Sequence, residues 1–239
     1  MTEQTVKLQK YVSDCGLMSR RAAEAAIVRG EFTVNGLPAS LGDRVLPSRD
    51  VVRYRGRKLH DPGRKWYIML NKPRGYVSTL KDERGRKTVR QLVAGCHARV
   101  YPVGRLDADS EGLLLMTNDG DLTLSLTHPS HEAGKTYLVS VRGDLARLPE
   151  LEQPMDIDGY TVRPAKVYIR DQASPTEAHI EMTIHEGRNR QIRKMCEKCG
   201  LDVRRLKRVA VGELHLDPKL APGKWRMLTP EEIAYLKGF

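Results

Sequence analysis

The sequence predicts an α+β fold of two domains, in which a small basic module precedes a larger domain with a mixed, mainly antiparallel sheet. Apolar residues recur at helical spacing in the first thirty positions, and strand-like runs outnumber helical runs after residue 65. A turn-rich segment around 60–64 separates the two parts. We therefore expect a first domain at residues 1–60, a linker at 61–64 and a second domain at 65–239.

Two short helices and a hairpin are predicted in the first module. Apolar side chains from Leu8 to Cys15 repeat at helical spacing, and Ser19 is suited to cap a second helix that stops at Gly30. Asn35-Gly36 follows a β-branched and aromatic run, which is a strong signal for a tight hairpin turn. Residues 51–54 add a further strand to this module.

The second domain begins with a strand at 66–70. Further strands are predicted at 100–103, 112–117, 136–141, 162–170, 178–184 and 212–216. Helices are predicted at 89–93, 122–126, 145–151 and 188–199. A final helix starts with a capping box formed by Thr229 and Glu232, with Pro230 at its first position.

The charge balance favours a nucleic-acid partner. The chain has 239 residues with 41 Lys and Arg against 30 Asp and Glu, a formal net charge of +11. No apolar run reaches the ~18 residues of a transmembrane helix, and the polar N-terminus lacks a signal-peptide core. The expected location is the cytoplasm, with no membrane partner.

Four cysteines are too few for a secreted disulfide scaffold. The pair Cys196 and Cys199 has CxxC spacing, but a structural zinc site needs a second ligand pair. We interpret the two as helix-end residues and expect neither a metal nor a cofactor.

The segment Gly104–Gly112 places Asp107 between two apolar runs, an arrangement typical of catalytic loops. It imitates a calcium loop, but Asn118 stands where a bidentate Glu is required. Paired carboxylates for glycoside hydrolysis fit poorly with a basic chain. A nucleophilic Asp107 beside Arg105 and a purely structural loop both stay open from residue types alone.

Other segments carry candidate contacts to RNA or to Asp107. The run 185–208 holds nine Lys and Arg against three Asp and Glu, so it predicts a basic helix that binds phosphates or pairs an arginine with Asp107. Tyr137, in a strand, is either a core residue or a ring for base stacking. The turn at 71–75, with Lys72 and Arg74, is interpreted as backbone geometry plus a phosphate contact.

The first module resembles the S4 RNA-binding domain over residues 7–53. The resemblance rests on Leu8-Gln9-Lys10, Ser19-Arg20-Arg21-Ala22 and Val34-Asn35-Gly36. It implies a compact basic surface against structured RNA, which is read mostly by shape and backbone. The implied contacts are Lys7, Lys10, Arg20, Arg21 and Arg29.

Over residues 7–235 the chain resembles the RsuA/RluB family of ribosomal RNA pseudouridine synthases, and its RluB-like branch in particular. The motifs occur in family order: Asn71-Lys72-Pro73-Arg74-Gly75, Gly104-Arg105-Leu106-Asp107, Glu111-Gly112-Leu113-Leu114, Thr117-Asn118-Asp119-Gly120, His128-Pro129, Lys135-Thr136-Tyr137 and Glu186-Gly187-Arg188-Asn189-Arg190-Gln191-Ile192-Arg193.

The resemblance implies that a monomeric enzyme isomerises a flipped-out uridine in 23S large-subunit ribosomal RNA. Asp107 is the implied catalytic residue, Tyr137 stacks on the base, Ile192 forms an apolar wall and Arg193 pairs with Asp107. Arg105 fills the gap left by the base or holds a phosphate. The further implied RNA contacts are Lys72, Arg74, Arg188 and Arg190. The alternative is a non-catalytic S4-type ribosome assembly or stress factor that uses the same basic surface.

Overall fold

A computed structural model describes residues 4–60, 62–128 and 133–239. The chain divides into two compact units. The first comprises Met1–Trp66 with His97–Val100 and Asn118–Gly120, and the remaining segments form the second. The boundary at 61–64 stays a prediction, because the first unit also takes up short segments from the middle of the chain.

The first unit contains the two predicted helices and the predicted hairpin. Ser19 caps the second helix by accepting a hydrogen bond from the Ala22 amide at 3.2 Å. Asn35 and Gly36 have φ values of 51° and 87°, as a type I′ turn requires. The elements are β1 Val6–Lys7, α1 Leu8–Asp14, α2 Arg20–Val28, β2 Phe32–Val34, β3 Leu37–Pro38, β4 Arg44–Val45, β5 Val52–Tyr54 and β6 Arg57–Lys58.

A nine-stranded sheet dominates the second unit. The strands of the second unit are β7 Tyr67–Lys72, β8 Tyr101–Pro102, β9 Glu111–Thr117, β10 Lys135–Gly143, β11 Met155–Ile157, β12 Tyr160–Val162, β13 Lys166–Ser174, β14 Glu177–Ile184, β15 Leu201–Val211, β16 Leu214–His215 and β17 Trp225–Met227. The strands β11 and β12 form a separate hairpin, and the other nine form the sheet. The order along the sheet is β13-β14-β10-β15-β9-β7-β17, with β16 beside β15 and β8 beside β9. Within the described residues, β9 and β15 pair in parallel and the other strand pairs are antiparallel. The predicted mixed, mainly antiparallel sheet is confirmed.

The helices of the second unit are α3 Val89–Leu92, α4 Gly120–Thr127, a 3-10 helix at Leu145–Glu152, α5 Gln191–Lys198 and α6 Pro230–Lys237. The capping box of α6 is confirmed, since Thr229 and Glu232 each accept a hydrogen bond from the other's backbone amide. None of the helices formed by the described residues combines the length and apolar character needed to span a bilayer.

Prolines and one left-handed residue account for three differences from the predicted elements. The predicted strand 162–170 is split between β12 and β13, because Pro164 cannot donate a ladder hydrogen bond. The predicted helix 145–151 is a 3-10 helix that contains Pro149. The predicted helix 188–199 begins only at Gln191, since Arg190 has φ 51°.

The largest omission of the sequence-based prediction is β15, the 11-residue strand next to α5. Its charged residues were assigned to a basic cluster, and a strand was expected only at 212–216, where the short β16 lies. In the folded chain Val203, Leu206 and Arg208 of β15 are buried, while Arg204 and Arg205 are both exposed at a register shift against β10. The sequence hides this strand because the shift interrupts the two-residue period and because an arginine occupies the buried position 208.

Gly112 allows β9 to lie directly against β15. Its φ is +102°, and a Cβ at this position would overlap the backbone carbonyl oxygen of Arg208. Arg208 is the register partner of Gly112 in the parallel pair. A side chain at residue 112 would therefore separate the two strands at the centre of the sheet.

We expect Gly112→Ala to lower the free energy of unfolding by about 3 kcal/mol or more, because backbone strain and a steric overlap act together. The matched control is Gly159→Ala in the same unit, whose φ is +76° with open space around the position. The control is expected to cost only about 1 kcal/mol. Urea unfolding followed by circular dichroism measures both, and equal losses would contradict the role given to Gly112.

Candidate active site

Asp107 lies in the loop between β8 and β9, and backbone contacts from the segment after β7 hold this loop in place. The Gly75 amide donates to the Ala108 carbonyl at 2.7 Å. Ser78 donates its hydroxyl to the Leu106 carbonyl at 2.7 Å and accepts the Leu106 amide at 3.1 Å. Sequence reasoning missed Ser78, because a serine after a turn carries no distinguishing pattern.

Lys72 is buried beneath the same loop. Its side chain has no exposed surface, and Nζ donates to the carbonyls of Asp107 and Ser110 at 2.9 and 2.7 Å. Burial lowers the pKa of Lys72 to about 8, although the nearby carboxylates, Asp107 foremost, act in the opposite direction. The prediction that Lys72 contacts RNA phosphate is wrong, because its ammonium is enclosed by backbone carbonyls of the loop.

Six of the predicted site residues line a single pocket of about 750 Å³: Asp107, Arg105, Tyr137, Ile192, Arg188 and Arg190. Tyr137 and Ile192 are buried, Asp107 is half-buried and Arg105 is exposed. The apolar part of the lining includes Val103, Leu115, Leu126, Ile184, Leu206 and Val211. A carboxylate, an aromatic ring and an apolar wall therefore meet in one cavity large enough for a nucleotide.

The expected pair of Arg193 with Asp107 is not formed. Arg193 instead contacts Asp109, whose Oδ2 lies 3.3 Å from Nη2, and donates to the Val203 carbonyl at 3.0 Å. Arg190 donates to both carboxylate oxygens of the same Asp109 at 3.2–3.3 Å. Asp109 thus joins the loop to the start of α5, and the carboxylate of Asp107 accepts no hydrogen bond from the described residues.

Arg208 is a pocket residue that sequence reasoning counted only as surface charge. It is 4% exposed, lines the pocket and donates Nε to the Leu113 carbonyl at 2.8 Å. Lys135 lines the same pocket, and burial together with the charge of Arg208 lowers its pKa. In the structure Arg208 is buried and is the register partner of Tyr137 in β10.

The other predicted RNA contacts lie mostly at the surface. Arg74, Arg188 and Arg190 are exposed in the second unit, and Lys7, Arg20, Arg21 and Arg29 are exposed in the first. Lys10 is half-buried and pairs with Asp14 at 3.0 Å, while Arg29 pairs with Glu31 at 2.8 Å. RNA binding by these residues stays a prediction. His128 lies at the end of α4, and Pro129 lies outside the described residues.

Comparison with known proteins identifies the family of this site. The model of the RNA pseudouridylate synthase family matches residues 66–198, which contain Asp107, Tyr137 and Ile192. The chain belongs to this family. Its membership favours the enzymatic interpretation over a non-catalytic RNA-binding factor.

Relatives of this pseudouridine synthase align with nearly the whole chain. Ribosomal large subunit pseudouridine synthase B of Bacillus subtilis is 40% identical over 236 residues, covering 97% of this chain and 95% of that protein. An uncharacterized RNA pseudouridine synthase of Aquifex aeolicus is also 40% identical over 236 residues, covering 97% and 93%. A crystal structure of a pseudouridylate synthase has a TM-score of 0.67 at 29% identity, covering 97% of this chain and 99% of that one.

We expect Ser78→Ala to reduce the turnover rate of this synthase about tenfold or more, because both of its hydrogen bonds fix the residue before Asp107. The matched control is Ser140→Ala in β10, which removes an exposed hydroxyl contact with His179 at 2.9 Å. Single-turnover rates at saturating RNA measure the effect. An unchanged rate in Ser78→Ala would show that Leu106 is held without this hydroxyl.

Proposed function

We propose that this synthase isomerises a specific uridine to pseudouridine in large-subunit ribosomal RNA, with Asp107 as the catalytic carboxylate. The Bacillus subtilis relative, a ribosomal large subunit pseudouridine synthase, supports the choice of RNA, since it aligns over almost its full length. The net charge of +11 suits a large polyanionic substrate. The reaction needs no metal or cofactor.

One observation carries the assignment of Asp107. Of the three acidic residues in its segment, Asp109 is engaged by two arginines and Glu111 is paired with Arg205. The side chain of Asp107 accepts no hydrogen bond or ion pair from any described residue, and it lines the pocket that also contains Tyr137. Asp107 is therefore the acidic group of this segment that is available to a substrate.

The reaction is an isomerisation, so every atom of the uracil ring is retained. The N1–C1′ glycosidic bond breaks, the ring turns, C5 bonds to C1′ and the proton on C5 is lost while N1 gains one. A carboxylate can add to an electrophilic carbon and later leave, or accept a proton in a glycal-forming step. Both routes require an ionised carboxylate beside the sugar and an apolar pocket that keeps the detached uracil in place.

The target uridine has to leave its stack to reach Asp107. Tyr137 supplies a ring against which the flipped base stacks, and Ile192 contributes to the apolar wall. Arg105, exposed at the pocket, is placed to hold a phosphate or to occupy the space that the base leaves. Arg193 acts indirectly, because it contacts Asp109 and thereby positions the loop that carries Asp107.

Residues 1–60 are proposed to bind the RNA as an S4 domain does. The two helices and the hairpin of the first unit fit that arrangement, and α2 carries the exposed Arg20 and Arg21. Cationic side chains on a compact module suit contacts with the phosphates of folded RNA.

We expect Asp107→Asn to fold and to bind RNA with nearly unchanged affinity while its pseudouridine formation falls by at least about 10³-fold, because the amide is a poor nucleophile and base. Pseudouridine is measured in a large-subunit RNA transcript after chemical labelling. Asp109→Asn is the matched control, since it loses the ion pairs of the loop and should reduce rather than abolish the rate. Activity retained in Asp107→Asn would refute the catalytic assignment.

Two substitutions of Tyr137 distinguish a stacking role of its ring from a chemical role of its hydroxyl. If the ring supports the flipped base, Tyr137→Phe keeps most of the activity, whereas Tyr137→Leu loses about 10-fold or more in turnover. Rates at saturating RNA, with circular dichroism as a check on folding, separate the two variants. Equal losses in both would assign the main role to the phenolic hydroxyl.

A further inference from the structure

Three arginines lie in the segment that leads into α5, and two of them are engaged within the protein. Arg190 pairs with Asp109, and Arg193 donates to the Val203 carbonyl and to Asp109. Arg188 differs, because none of the described residues accepts a hydrogen bond from its guanidinium. It lines the pocket and is exposed.

Although its donors are unpaired, the Arg188 guanidinium contacts an aromatic ring. The centre of its guanidinium lies 3.8 Å from the centroid of the Tyr160 ring, a stacking distance. Tyr160 begins β12, directly after the turn of the β11–β12 hairpin. Asp158 and Gly159 form that turn with φ values of 56° and 76°, as a type I′ turn requires.

The hairpin is in turn attached to α5 and to the strand that precedes the pocket segment. Lys194 pairs with Asp158, and Lys198 lies 4.0 Å from Asp156. Each pair is exposed and contributes little by itself, but both act on the same two-stranded element. Glu186 adds a hydrogen bond at 2.7 Å from the Arg163 amide, which joins the end of the hairpin to the pocket segment.

We propose that Arg188 binds a phosphate of the RNA strand at the mouth of the pocket, and that Tyr160 is the positioning residue that holds its guanidinium there. This inference rests on the proposed function, because it assigns a backbone contact beside the uridine that enters the pocket. Arg188 thereby differs from Arg190 and Arg193, whose guanidiniums are engaged by Asp109.

The geometry favours a phosphate as the ligand. The guanidinium carbon lies over the Tyr160 ring, and the N–H groups of the guanidinium are taken up by no acceptor among the described residues, so they stay available. Two parallel N–H donors match two phosphate oxygens, and a charge-assisted pair of this kind is strong. Stacking on Tyr160 orders the side chain before the RNA arrives, which lowers the entropic cost of binding.

The experiment compares Arg188→Gln, Tyr160→Leu and Tyr160→Phe in the full chain, using an unmodified large-subunit ribosomal RNA transcript. We expect KM and Kd to rise about tenfold in Arg188→Gln and about threefold in Tyr160→Leu, with kcat nearly unchanged. Tyr160→Phe should resemble the wild type, because it keeps the ring. The dependence of log Kd on log salt should become shallower by about 0.7 to 0.9 in Arg188→Gln, as expected for one lost phosphate contact.

A double variant tests whether Tyr160 acts through Arg188. Arg188→Gln combined with Tyr160→Leu should bind no more weakly than Arg188→Gln alone. The matched control is Tyr168→Leu, which removes another exposed tyrosine that lies 5.2 Å from a lysine, Lys166, away from the pocket. This control should leave KM, Kd and the salt slope unchanged.

Each outcome decides a separate question. A wild-type chain that forms no pseudouridine in the transcript overturns the proposed function, whereas the binding and salt-slope measurements still test Arg188. A salt slope unchanged in Arg188→Gln, or effects of Arg188→Gln and Tyr160→Leu that simply add, overturns the inference. A loss confined to kcat would also overturn it, because a backbone contact outside the chemistry acts on KM.

Discussion

The contact on which the rest of the site depends is the parallel pairing of β9 with β15 at Gly112 and Arg208. It joins the two halves of the sheet, and Arg208 is also the register partner of Tyr137 in β10. Because the loop that carries Asp107 enters β9 immediately before Gly112, this pairing brings Asp107 to the same pocket as Tyr137. A residue with a side chain at 112 would overlap the backbone of Arg208, so the close approach of the two strands depends on this glycine.

The groups that support the site make their polar contacts within the protein. Lys72 and Ser78 hold the loop through its backbone, and Asp109 ties it to the start of α5. Lys72, Arg190 and Arg193, which the sequence suggested for contacts with RNA or with the catalytic residue, are engaged in these contacts within the protein. Among the described residues of these segments, these contacts leave accessible the carboxylate of Asp107 and the unpaired guanidiniums of Arg105 and Arg188. Such a division suits an enzyme whose substrate is a large polyanion.

Sequence reasoning succeeded where a local pattern has a local cause. The cap at Ser19, the Asn35-Gly36 turn and the capping box at Thr229 depend on residues only a few positions apart. It failed for β15, since a register shift interrupts the alternation of the strand and an arginine occupies one of its buried positions. It also failed for the partner of Arg193, because two aspartates stand two residues apart and only the folded loop decides which one faces α5.

By itself the sequence determined the type of most elements, the family and the segment that holds the candidate nucleophile, because these follow from short-range patterns and from motifs in fixed order. Only the tertiary structure decided which charged side chains are paired or buried within the protein. Burial of Lys72 and pairing of Asp109 arise from strands far apart in the chain, and no spacing in the sequence encodes such distances. Asp107 stands out because the fold pairs its acidic neighbours Asp109 and Glu111 with arginines and leaves the carboxylate of Asp107 unpaired in the pocket.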